Sequence, residues 1–94
     1  MGLKFDWDPR KESANQQKHD VSFREAATVF NDLLSATFPD PDHSDNEERF
    51  ITVGVSHRQR LLMVSHTEQN DFIRIISARQ LTRRERKQYE ESER

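Results

Sequence analysis

The sequence predicts an α+β domain: a small antiparallel sheet packed with two N-terminal helices and one C-terminal helix, in the order β-α-α-β-β-β-β-α. Two S/T-x-x-E boxes, Ser22 to Glu25 and Thr82 to Glu85, mark helix starts, because the hydroxyl accepts from a free N–H and the carboxylate can reach back. Apolar runs over 49–56, 60–67 and 72–78 are separated by turns too short for a crossover, which favours antiparallel hairpins. Helices and strands come in runs rather than alternating, the pattern of segregated layers.

Residues 3–8 alternate, Leu3, Phe5 and Trp7 against Lys4, Asp6 and Asp8, as a half-buried strand does. Asp8-Pro9 then opens a helix running to about Lys18, with a capping oxygen followed by a residue whose missing N–H costs nothing. Lys11, Asn15, Lys18 and His19 fall on one side of that helix, and Ala14 is its only apolar residue. The next helix carries Phe23, Ala26, Ala27, Phe30 and Leu34 at helical spacing and is predicted to cover the sheet. A short strand is expected over 35–38. Asp40 to Glu48 reads as a loop with five acids and no Lys or Arg. Within the three later strands, Ile51, Val53 and Val55 share one side and Phe50 and Gly54 the other. The last helix, Arg83 to about Ser92, is polar nearly all round, with Tyr89 alone to bury.

The length suits one domain spanning 1–94, with a small core, since 32% of residues are hydrophobic and 34% charged. Six Phe, one Trp and the separated aliphatic clusters distinguish it from a disordered chain. The net charge of −2 argues neither for nor against nucleic acid, so the distribution of charge decides. Without cysteine there is no disulfide, thiolate nucleophile or Cys-based zinc site, which fits the reducing cytosol. No leader-like apolar stretch opens the chain and no run approaches a membrane span, so a cytoplasmic protein is expected.

The strongest functional signal follows the last strand. Arg79, Arg83, Arg84, Arg86 and Lys87 lie within nine residues that contain one acid, Glu85. Guanidinium groups grip phosphates in a bidentate manner and stabilise charge building on them. A solvated helix start with incidental arginines is the alternative. Arg74 stands among Ile residues and needs a partner, a site or an exposed sheet face. His66, near the end of an apolar strand, can serve as an acid or base near neutral pH. A satisfied, partly buried histidine is the other reading, and the surrounding sequence slightly favours it. His19 can equally cap the first helix. The acidic loop lacks EF-hand spacing and reads as a solvated turn, so no metal is expected. Only two glycines are present, which essentially excludes a nucleotide-cradling loop, and no cofactor is expected.

Further residues carry a resemblance. The opening Phe5-Asp-Trp-Asp-Pro9, then Asn15, Lys18-His19 and Val21-Ser-Phe-x-Glu-Ala26, resemble the BrnT toxin family. So do Asp40-Pro-Asp-His43, Glu48-Arg49-Phe50, Gly54, His66-Thr67, Arg74 to Arg79, Thr82 to Glu85 and Tyr89. The resemblance implies a RelE-like fold and an endoribonuclease that slows translation and growth. It also implies a BrnA-like antitoxin that binds the toxin, with a 2:2 assembly through the antitoxin by family analogy, and that touches DNA through its own domain.

For metal-independent cleavage, the phosphate needs positive neighbours while the 2′-hydroxyl loses a proton and the 5′-oxygen gains one. The candidates are Arg79 and Arg74 at the phosphate and His66 as acid or base. Lys18 and His19 would grip the backbone or share the proton transfer. Lys11, Arg49, Arg83, Arg84 and Tyr89 are candidate RNA contacts, with pairing to the acidic loop as the alternative for Arg49 and a weak-acid role as the alternative for Tyr89. A toxin-like module that acts only by protein binding is the alternative.

Overall fold

The structure is a computed structural model and describes residues 3–41 and 48–92. Its elements are β1 (Lys4–Asp6), α1 (Pro9–His19), α2 (Phe23–Thr28), a 3-10 turn (Val29–Asn31), β2 (Ala36–Pro39), β3 (Phe50–Val55), β4 (Leu61–Gln69), β5 (Phe72–Gln80) and α3 (Arg83–Ser92). The five strands form one sheet in the order β1-β5-β4-β3-β2.

The predicted element order holds, and the sheet is mixed rather than wholly antiparallel. β2, β3, β4 and β5 pair antiparallel as their short turns require, whereas β1 lies parallel to β5, with Phe5 opposite Ile73. The α1–α2 layer and the intervening strands supply the long connection a parallel pair needs.

α1 begins where Asp8 accepts from the Arg10 N–H at 2.8 Å, with Pro9 at the first helical position. It ends at Asp20, whose φ of 58° is left-handed and whose N–H donates to Gln16 O. Asp tolerates that conformation and ends the helix as glycine commonly does.

α2 is shorter than its apolar spacing predicts. Ser22 caps it at the Glu25 N–H. The α-helix stops at Thr28, the backbone tightens to a 3-10 turn, and Asp32 accepts from the Leu34 N–H. Leu34, predicted on the buried stripe, is therefore 75% exposed, and Leu33 is 98% exposed.

The core lies between the α1–α2 layer and one face of the sheet. Val21, Phe23, Ala26 and Val29 pack on Leu62, Val64, Ile73, Ile75 and Ala78, flanked by Phe5, Trp7 and Phe30. Gly54 belongs to this face because a Cβ there would stand 2.9 Å from Ser35 Cβ and 3.0 Å from Val29 Cγ1. β5 carries one extra residue. Ile75 pairs with His66 and Ser77 with Ser65, leaving Ile76 as a bulge that resets the alternation between the two ends of the strand. α3 lies on the opposite face, where Tyr89 and Leu81 line a groove together with Met63, Val53 and Ala36. Among the described residues no helix is long and apolar enough to cross a membrane.

Candidate functional site

Cross-strand partners share a face, so the register lays out the side chains of the sheet. On the α3 face, Arg74 sits opposite Thr67, Ser77 opposite Ser65, and Arg79 opposite Met63. Ile51 continues the middle row and Val53 the lower one. Arg74 and Arg79 thus emerge on one surface, separated by Ser77 and Ser65. α3 roofs the end nearer Arg79.

Each arginine has a carboxylate. Arg79 makes a two-point contact with Glu85, at 2.8 and 2.9 Å, and its Nη1 also donates to Gln80 O. Glu85 completes a reciprocal cap, accepting from the Thr82 N–H at 2.9 Å while its own N–H donates to Thr82 Oγ1 at 3.1 Å. Hydrogen bonding from Arg79 and from the Thr82 N–H holds the Glu85 carboxyl down to about 2, and the same pair raises the Arg79 pKa. Arg74 pairs with Asp6 on the neighbouring strand, with both side chains about half exposed. An ion pair so wet contributes little to stability. The sequence pointed to these arginines but not to their partners: Glu85 reads as a helix cap and Asp6 lies 68 residues from Arg74.

Arg83 and Arg84 project, exposed, from the first turn of α3. Tyr89 is half-buried and its hydroxyl donates to Leu34 O at 2.9 Å. Arg49 precedes β3, half-buried, and its carbonyl accepts from the Asp40 N–H. The loop reading extends through residues 42–47, His43 among them, which lie outside the described residues.

His66 does not join this face. It points into the α1–α2 side with 0% exposure, edge-on to Phe30 at 4.9 Å and roughly parallel to Phe50 at 6.0 Å. Nε2 lies 2.7 Å from Thr52 Oγ1, which in turn lies 2.7 Å from Thr37 Oγ1. Burial pushes its pKa down to about 4, so the ring is neutral at physiological pH. His66 is thus placed across the sheet from Arg74 and Arg79, with no accessible atom, and is not brought together with them. The reading of a satisfied histidine holds for Nε2 alone: Nδ1 is buried without a hydrogen-bond partner, 3.8 Å from the Glu68 carboxylate.

The basic side expected of α1 is also divided. Asn15, on that stripe, is buried against β5. Lys11 and Lys18 are exposed and His19 half-buried, in the helical layer across the sheet from Arg79. These three are not brought together with the arginines.

One charged cluster escaped sequence reading. Glu25 is 2% exposed, accepts from Arg60 Nε at 2.9 Å and Ser56 Oγ at 2.7 Å, and has Arg58 at 3.7 Å. Arg60 Nη2 also donates to Asp20 O. Hydrogen bonding from Arg60 lowers the Glu25 pKa. This carboxylate leaves the capping box half-made in order to tie α2 to the β3–β4 turn. Among the described residues no group of three or more His, Cys, Asp or Glu side chains could hold a metal ion.

The family model for the ribonuclease toxin BrnT of type II toxin–antitoxin systems matches residues 7–85. This chain belongs to the BrnT family. Its structure resembles the crystal structure of the Brucella abortus ribonuclease toxin BrnT, with a TM-score of 0.68 and 20% sequence identity, covering 87% of this chain and 100% of that one. At that identity the likeness establishes the shared fold. No curated protein matches the sequence. Membership of the BrnT family makes this chain a ribonuclease toxin whose system includes an antitoxin. Within the matched span lie Arg74, Arg79 and Glu85, and also the interior residues Asn15, Glu25 and His66.

Proposed function

We propose that this BrnT-family chain is a metal-independent endoribonuclease acting on the α3 face of its sheet, in the cytoplasm, and slowing translation and growth until an antitoxin covers it. The observation that carries the reading is the emergence of Arg74 and Arg79 on one surface, separated by small hydroxyl side chains that leave room for a phosphodiester. Arg79 is the principal stabiliser of charge building on phosphorus. Its pairing with Glu85 fixes the guanidinium plane; Nη1 is held by Glu85 and Gln80 O and Nη2 by Glu85 and Met63 Sδ, which leaves the Nε–H for a phosphate oxygen. Arg74 is the second phosphate contact. Attack of the 2′-oxygen on phosphorus expels the 5′-oxygen, leaving a 2′,3′-cyclic phosphate and a 5′-hydroxyl, and makes the enzyme blind to DNA.

Arg83 and Arg84 support the same reading. Cations in the first turn of a helix oppose its dipole. Their position therefore favours an anion outside the helix. With Tyr89 and Arg49 they are the proposed RNA contacts. Lys11, Lys18 and His19 are assigned at most to flanking nucleotides, and proton transfer is assigned to neither His66 nor His19. The antitoxin is BrnA-like, assembles with the toxin as a 2:2 complex and alone contacts DNA.

Purified protein is expected to cleave RNA in EDTA. Arg79→Ala should lose at least tenfold in rate, about 1.4 kcal/mol of transition-state stabilisation. A requirement for a divalent ion would overturn the metal-independent reading, and full activity of Arg79→Ala would move the reacting centre elsewhere. A second reading, inhibition by protein contact alone, draws support from the carboxylate partner of each arginine. Growth arrest with intact RNA would favour it.

A further inference from the structure

We propose that the antitoxin docks in the groove between α3 and the β2 edge of the sheet, through an apolar segment flanked by acidic residues. This deepens the toxin reading above and rests on it. The groove holds about 530 Å³ and is floored by Ala36, Val53 and Met63 and walled by Phe38, Leu81 and Tyr89. Beside it, where the Tyr89 hydroxyl meets the Leu34 carbonyl, the chain leaves three large apolar side chains in water. Leu33 is 98%, Leu34 75% and Phe38 42% exposed. Scattered apolar residues are ordinary on a surface, but a run of them against an apolar groove marks an interaction site.

The backbone offers a register. The Asp40 N–H donates to Arg49 O, and the antiparallel alternation then places Phe38 with Ile51 and Ala36 with Val53 as bonded pairs. The N–H and C=O of Thr37 therefore point away from the sheet. Pro39, without an N–H, limits addition to a short stretch. An extended partner segment fits this edge at Thr37 while placing side chains over Leu34 and into the groove.

Charge selects the partner. Arg83, Arg84, Arg86 and Lys87 stand exposed along α3 at the rim of the groove, against Glu90 and Glu91 on the same surface, while the one acid in the lining, Glu85, is already paired with Arg79. Complementarity calls for acids on the incoming chain, which would speed association and discriminate against basic partners. An occupant seated here also stands beside Arg79 and Tyr89, so one docking event neutralises the RNA-facing surface.

The test measures binding of the antitoxin encoded with this toxin, alongside RNA cleavage by the free protein. Leu33→Ser/Leu34→Ser, at two exposed positions, should raise the antitoxin Kd at least tenfold while the free toxin cleaves RNA at its normal rate. Arg86→Glu/Lys87→Glu should slow association and flatten its salt dependence. Unchanged affinity in both variants would overturn the inference while leaving the toxin reading standing. Leucine substitutions that impair RNA cleavage but spare antitoxin binding would assign the groove to RNA. A wild-type dimer dissolved by the leucine substitutions would assign it to a second copy. Failure of the wild-type protein to bind the antitoxin would remove the toxin–antitoxin reading itself.

Discussion

The carboxamide of Asn15 reads the backbone of Ala78: its Oδ1 accepts from the Ala78 N–H at 3.1 Å and its Nδ2 donates to the Ala78 carbonyl at 2.9 Å. β1 pairs with β5 only through Arg74, so beyond that point a side chain from α1 supplies part of the bonding a neighbouring strand would have made. The same Nδ2 also donates to Val21 O at 2.9 Å, fixing the α1–α2 connection. Asn15→Ala strands buried backbone groups and is expected to cost about 2–4 kcal/mol. Asn15→Asp faces two carbonyls with a charge and should cost more. Urea unfolding followed by circular dichroism measures both.

Glu25 and Arg60 make a buried pair whose value lies in its completeness. Removing one partner leaves a desolvated charge, so Glu25→Gln should destabilise by about 3 kcal/mol. The double variant Glu25→Met/Arg60→Met should recover much of that loss. A double-mutant cycle by chemical denaturation tests the coupling.

Stability should fall on mild acidification. His66 binds its proton near pH 6.5 when unfolded and near pH 4 when folded. The unfolded chain therefore holds more protons in that interval, and stability present above pH 6.5 is lost as pH falls toward 4. Between pH 7 and pH 5 the loss attributable to His66 is roughly 2 kcal/mol. His66→Gln should flatten this portion of the profile, measured as unfolding free energy against pH. Glu85, with its pKa near 2, contributes only to the acid limb below that range.

Glu85 acts on RNA only through Arg79 and is a positioning residue. Glu85→Gln should lower kcat with little change in KM and cost about 1 kcal/mol through the weakened cap. Glu85→Asp should restore part of the cap without restoring the two-point contact. Steady-state kinetics on a defined RNA, beside thermal unfolding, separates the two effects.

Gly54→Ala places a methyl group against Ser35 and Val29, with Asp32 Oδ2 at 3.1 Å. Overpacking there should cost about 1–3 kcal/mol and loosen the β2–β3 end of the sheet. Hydrogen exchange in β2 would report the loosening.

The element order, both caps and the antiparallel strands are legible in the sequence because each is a local pattern. Thr82 and Glu85 cap reciprocally as their spacing requires, and Asp8-Pro9 opens α1 as read. The parallel docking of β1 is not legible, since three residues carry no register of their own. The end of α2 is not legible for a related reason. The apolar spacing continues to Leu34, but Asp32 binds the Leu34 and Val55 backbone N–H groups and turns the chain out toward β2. At the candidate site, basic residues are visible as composition. Which face each occupies depends on pairing and on the Ile76 bulge. His66 shows the limit most clearly: residue type invites chemistry, and its neighbours Phe30 and Phe50 come from distant segments that enclose it.

The neighbour relation of β1 and β5 bears on when the protein becomes harmful during its synthesis. Lys4 to Asp6 can find their places only after Phe72 to Arg74 have left the ribosome, and Asn15 must wait for Ala78. Such distant closures make assembly a late event. A ribosome making this toxin therefore carries an unassembled chain until Ala78 has emerged, which gives a nascent partner an interval in which to arrive first.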